Sequence, residues 1–176
     1  SGTPTAEVEA LGVSVGLGGG VGVSLADATV GANLDAHVGN SVSLTSGSLS
    51  VSARQNLPAS GYSTQTSATA GAGGFLVGAS GSEAHAQVSG NNVKSYVGND
   101  STLHVGAASI TAQATTKQKS ESGSISVGLV GIGIAINQAT SNTTTEAYLG
   151  SNTNVNGNSL LITATGSDDN YAETTA

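Results

Sequence analysis

The chain has 176 residues, of which 26 are Gly, 26 are Ser and 20 are Thr, so three small residue types fill about two fifths of it. Cys, Met and Trp are absent, which excludes disulfides, thiolate metal sites and a thiol nucleophile. Four Lys plus Arg against 11 Asp plus Glu leave a formal charge of -7, which opposes a phosphate backbone and excludes nucleic acid as a partner.

The first patterned segment, Gly12 to Leu25 (GVSVGLGGGVGVSL), is a Gly-punctuated alternation of period two. Its Gly18 to Gly20 run does not form a phosphate loop: the spacing from Gly16 misses the dinucleotide pattern, no Lys with Ser or Thr follows, and the next residues predict a strand rather than a helix. Close packing and sharp corners at positive φ are the expected roles of these glycines. Ala36 to Ala53 (AHVGNSVSLTSGSLSVSA) follows, where Val42 and Leu44 alternate with Ser, Gly47 interrupts, and Leu49, Val51 and Ala53 resume; this predicts strand, turn, strand with one apolar face. The polar stretch RQNLPASGYSTQTS then reads as a linker.

The same order returns twice. Thr69 to Ala84 and Ser124 to Ile136 repeat the Gly-punctuated segment, and Ser95 to Ala112 and Ala147 to Ala164 repeat the second one at offsets of 59 and then 52. Apolar columns stay apolar: Val38, Val97 and Leu149; Leu44, Leu103 and Val155; Val51, Ile110 and Ile162. QATTKQKSESGS reads as a second linker, and the tail TGSDDNYAETTA has the same polar character. No window carries a helical apolar period, and Gly with β-branched residues opposes helix formation, so no helix is expected.

Repeats of 52 to 59 residues built from short alternating strands predict an all-β, parallel β-helix, a solenoid of three imperfect repeats over residues 1–65, 66–123 and 124–176. A β-sandwich is the competing architecture. Each repeat is expected to hold about three coils of about 17 to 20 residues, with inward Val, Leu and Ile ladders.

The block AYLGSNTNVNGNSLLITA, preceded by VGIGIAINQATSNTTTEA, resembles the repeats of bacterial filamentous-haemagglutinin-like and leukotoxin-like filamentous adhesins. The likeness covers nearly the whole chain and rests on the openings Tyr96, Val97, Gly98 and Tyr148, Leu149, Gly150 and on the later aliphatic-x-Ala close. It implies a right-handed parallel β-helix exported to the bacterial cell surface or beyond, serving as stalk, adhesin or filament. It carries over no catalytic residue. The first copy departs in having His37 where the others have Tyr.

Candidate sites are few. Asp35, Lys94 and Glu146 align at the repeat offsets in an acid, base, acid column. Stacked directly, Lys94 would lie between two carboxylates and set register; separated by three coils, the charges would be about 14 Å apart and screened. The column of His37, Tyr96 and Tyr148 is expected on the opposite side of the strand as an aromatic strip. The pairs Asp35 with His37 and Glu83 with His85 lack a recurring third ligand and read as surface polarity, and Asp168, Asp169 and Asn170 read as a solvated linker rather than a calcium site. The 11 acids form no recurring pair suited to glycoside hydrolysis, so no enzyme and no cofactor is expected. Asn99 and Asn142 match the glycosylation acceptor pattern.

No run approaches the ~20 apolar residues of a membrane-spanning helix, and the absence of Met leads us to expect a processed form or a stretch of a longer array. The expected function is a structural segment of an extracellular bacterial fibre or adhesin stalk that gives length and rigidity and associates with itself, head to tail or in filaments. The alternative is a module that binds host or matrix glycan.

Overall fold

Extended backbone is what the β-branched Val, Ile and Thr favour, and strands account for 80% of the chain. The computed structural model describes residues 1–176. It contains β1 (Ala6–Gly16), β2 (Gly19–Val30), β3 (Asn33–Val38), β4 (Ser43–Gln55), β5 (Thr64–Gly74), β6 (Val77–Val97), β7 (Thr102–Val127), β8 (Val130–Leu149), β9 (Asn154–Asn156) and β10 (Ser159–Thr175), and no helix.

The strands form two sheets in which every ladder is parallel. The first sheet holds β1, β4, β5, β7, β9 and β10; the second holds β2, β3, β6 and β8. The chain runs along the first sheet, turns, runs along the second, turns again and returns beside its earlier strand. We call one such circuit a rung. β7 pairs with β4 through its first half and with β5 through its second, so β4 and β5 together fill the place that β7 fills one rung later.

This topology corrects the expected coil count. Val51 pairs with Ile110 and Ile110 with Ile162, partners separated by 59 and 52 residues, so each repeat is one long rung rather than about three short coils. The reason is strand length: β6 has 21 residues and β7 has 26, well beyond the ~5–6 residues of a common strand. The first predicted linker contains a connection, Asn56 to Ser63 between β4 and β5, but the second linker and the polar tail are corrected. Gln113 to Ser124 lies wholly within β7, and the tail up to Thr175 lies in β10. Gln118, Ser120, Ser122 and Ser124 point between the sheets and are buried, so the polar composition reflects a polar interior and not a solvated connection. Gly47 likewise does not make a turn: β4 is continuous, the register is the same on both sides of Gly47 although it and its counterpart Gly106 are left out of the ladder, and the inward residues change from even numbers (Leu44) to odd ones (Leu49, Val51) across that point.

The interior changes character along the rung. At one end Val51, Val97, Leu103, Val105, Ala108 and Ile110 form an aliphatic core. In the middle Gln55, Asn91, Thr64, Thr66, Thr116 and Gln118 are buried. At the other end only Gly, Ala and Ser lie between the sheets, with Ser80 Oγ within 2.6 Å of Ser124 Oγ and 2.7 Å of Ser126 Oγ.

Candidate functional site

The turn at the aliphatic end is built the same way in each rung. Ser41, Asp100 and Asn152 adopt φ of 56–57°, the left-handed conformation that Asn and Asp tolerate best among residues with a side chain. The Asn40 carboxamide oxygen accepts the Asn99 backbone N–H at 2.8 Å, and the Asn99 carboxamide oxygen accepts the Ser151 N–H at 2.8 Å. These Asn side chains tie each turn to the next. Asn99 is therefore a structural ladder residue as well as an exposed one; Asn142 is exposed within β8.

Beside that turn, the outer face of the second sheet carries the aligned charges. Asp35 pairs in register with Lys94, and Lys94 with Glu146. Equivalent positions thus stack directly. Lys94 Nζ lies 2.9 Å from Glu146, while Asp35 turns to His37 Nδ1 at 2.9 Å, so Lys94 engages one carboxylate of its column rather than two. The hydrogen bond to Glu146, then its charge, raises the Lys94 pKa above 10.5.

The aromatic column occupies the same face, which corrects the expected opposite placement: residues two apart along a strand share a side. His37, Tyr96 and Tyr148 stack with ring centroids 4.9 Å apart and planes within 6° of parallel. That distance is the rung spacing itself. Loss of hydration, assisted by the Asp35 charge, raises the Tyr96 phenol pKa above 10.0.

The nominated ladder columns lie in the interior of this end. Val97, Leu103 and Ile110 are fully buried, Val51 is nearly so, and Val38, Leu44, Leu149 and Val155 pack against them from the neighbouring rungs. Ile162 continues its column at the outermost strand and stays 40% exposed, because no strand covers β10.

Two features were not legible as sites in the sequence. One is a shallow cavity of about 270 Å³ on the first sheet, lined by Tyr62, Lys117, Lys119, Glu121, Asp169 and Tyr171. Both lysines lie over the Tyr62 ring, 5.3 and 5.8 Å from its centroid. Their charges are matched by Asp169 at 3.0 Å and Glu121 at 2.8 Å, hydrogen bonds that raise both Lys pKa values above 10.5. Adjacent Asp168 accepts hydrogen bonds from Thr116 and Ser141, so the two aspartates serve opposite faces of β10 and share no ligand. No group of three or more His, Asp and Glu side chains stands close enough to hold a metal ion.

The second feature is the Gly-rich end, where each rung narrows to a thin blade. A Cβ on Gly12 would overlap the Val23 carbonyl oxygen, and one on Gly22 the Gly71 carbonyl oxygen, so the backbones of the two sheets touch there. None of the Gly-rich segments uses positive φ, which occurs in glycine only at Gly61 and Gly90; close approach, and not corner geometry, is what these glycines provide. With small residues inside, the alternation sends Val, Leu and Ile outward. The expected inward ladders are therefore reversed at this end: Val13, Val15, Val23, Ile125 and Ile134 are 59–84% exposed. No protein-family model, curated protein or solved structure matches the chain.

Proposed function

We propose that this chain is a load-bearing stretch of a right-handed parallel β-helical fibre of the filamentous-adhesin kind, working outside a bacterial cell as stalk or filament. The observation that carries the reading is the direct stacking of equivalent residues, Val51 on Ile110 on Ile162 and Asp35 on Lys94 on Glu146, because a stack of like rungs has no built-in stop. Right-handed winding follows from the strong preference of parallel crossover connections. The aligned Asn turns and stacked rings supply register at every step, which a repeating rod needs and an isolated catalytic domain does not. The outermost strands, β1 to β4 on one side and β8 to β10 on the other, have partners on one edge only, and those edges are where a further rung would add.

Head-to-tail growth is tested by joining two and four copies of the chain in tandem and measuring them by electron microscopy or small-angle scattering. The cross-section stays constant and the stacking axis lengthens by about 15 Å per copy, three rungs at about 4.8 Å each. Copies that remain separate globules tethered by the junction would remove the fibre reading.

Glycan binding is a second reading with one observation in its favour: the Tyr62 and Tyr171 cavity combines aromatic faces with paired cations and carboxylates. Binding on a glycan array that is lost in Tyr62→Ala would establish it.

A further inference from the structure

We infer that the blade at the Gly-rich end is a lateral docking surface for a second copy of this chain, meeting it face to face. This surface is separate from the strand edges used in head-to-tail growth, so either can fail without the other.

The polarity of the blade is inverted. Inside the blade Ser24 donates to the Ala10 carbonyl oxygen at 2.8 Å and Ser124 to that of Ser80 at 3.0 Å, while the buried Ser82 and Ser122 hydroxyls have no partner, so the hydroxyls of this end point inward. Outward, Val21, Val23, Leu25, Val130, Ile132, Ile134 and Ile136 on the second sheet are each 52–71% exposed. Together they offer roughly 800 Å² of apolar surface, one partner's share of a standard protein interface and above the patch size of an ordinary monomer.

The relief of this face suits a second copy. In register, Val21 pairs with Ala79 and Ala79 with Ile132, and Val23 with Gly81 and Gly81 with Ile134, so over these rows the middle rung is a trough between two aliphatic ridges, closed at one end by Glu83. This furrow has a volume of about 300 Å³. Its ridges are two rungs, about 9.6 Å, apart, which is room for one row of side chains. A second copy displaced by one rung supplies that row and receives one in return, the reciprocal fit of an isologous interface. The first-sheet face repeats the relief, with Val13 and Val15 on one side of Gly71 and Gly73, and Ile125 and Val127 on the other.

Charge is sparse on the blade. Gly12 to Ala26 and Gly123 to Gln138 contain no charged residue, although the chain carries -7 overall. On the outer face of the second sheet the aliphatic rows hold one charge, Glu83 of the middle rung between Leu25 and Ile136; it pairs with His85 at 2.9 Å in the next row, Asp27, His85 and Gln138, and together these groups form a polar rim of the kind that borders protein interfaces. A lipid phase fits less well, because the blade's first and last rungs present open sheet edges, which hydrocarbon does not accommodate.

The chain has no cysteine, so single introduced thiols report the contact cleanly. Sedimentation velocity at increasing concentration is expected to show a dimer or larger species, and Val23→Thr with Ile134→Thr is expected to weaken it at least tenfold with unchanged circular dichroism. A bis-maleimide with a spacer of about 10 Å is expected to link Ile134→Cys copies and not Thr29→Cys copies, a readout that survives if the double variant folds poorly. Three results would each overturn the inference: a monomer up to 100 µM (~10⁻⁴ M, on the order of the weakest stable contacts), association indifferent to the double substitution and to the Ile134 thiol, or a monomer that floats with phosphatidylcholine vesicles.

Discussion

Gln118 shows what a single residue contributes to this interior. It is fully buried between the sheets, and neither its amide nitrogen nor its oxygen has a hydrogen-bond partner. A buried carboxamide without partners loses its hydration and gains nothing in return. Gln118→Leu, of similar volume and without those atoms, is therefore expected to raise unfolding free energy by about 1–2 kcal/mol, while Gln118→Ala leaves a void and lowers it; urea titration measures both. The exposed charges act differently. The Lys94, Lys117 and Lys119 pKa values are raised first by hydrogen bonds to carboxylates, that of Tyr171 by its bond to Glu173, and that of Tyr96 by lost hydration. A raised value means the folded chain holds its proton longer. The contribution is complete below the unfolded values of 10.5 for Lys and 10.0 for Tyr, and it is lost as pH rises through the raised ones. The melting temperature is thus expected to be level from pH 8 to about 9.5 and to fall between about pH 10 and 12, by a small amount because exposed pairs are weak.

Among the elements, the blade strands show which part of the fold is readable from an alternating pattern. Period two states that one side of a strand is apolar; it does not state which side faces the partner sheet. That choice is made by the other side. Where the alternate residues are Ser, Thr or His, as around Leu103 and Ile110, the aliphatic set turns inward. Where they are Gly, as at Gly12, Gly20 and Gly22, the sheets close until their backbones touch and the aliphatic set has no room inside. Gly22→Val is accordingly expected to part the sheets and cost about 3 kcal/mol or more, whereas Gly81→Ala, whose added methyl meets nothing within 4 Å, is expected to be near neutral. Thermal melts with limited proteolysis of the blade check the pair. The column alignments of Val51, Ile110 and Ile162 were legible because stacking demands like residues at like positions. Coil length was not, because the apparent linkers are polar, and a polar strand with a polar interior carries the same composition as a loop. The Tyr62 cavity was also hidden, since Tyr62 lies outside the repeated columns and meets Lys117 and Lys119 only through the β5 and β7 pairing.

At the scale of the molecule, the rungs share their stabilising contacts with their neighbours on either side. The last strand shows the result: Leu160 and Ile162 are 45% and 40% exposed although their counterparts Ala108 and Ile110 are buried. Covering them removes apolar surface from water at about 25 cal/mol per Å². A tandem pair is therefore expected to unfold at a higher denaturant midpoint than the single chain, by more than two independent copies would, with the gain concentrated in the added junction. Equilibrium unfolding of single, double and quadruple chains measures it; identical midpoints would mean the copies do not stack.

The 26-residue span of β7 has a mechanical consequence. At about 3.3 Å per residue it makes each rung about 85 Å broad, while the two sheets together are only about 10 Å deep. Resistance to flexure grows with the cube of the dimension lying in the plane of the bend. Such an object is a tape: nearly unyielding edgewise, compliant flatwise, and disposed to coil about its own long direction under the natural twist of its strands. Clasping two tapes together by their thin margins would suppress the flatwise compliance without lengthening either one.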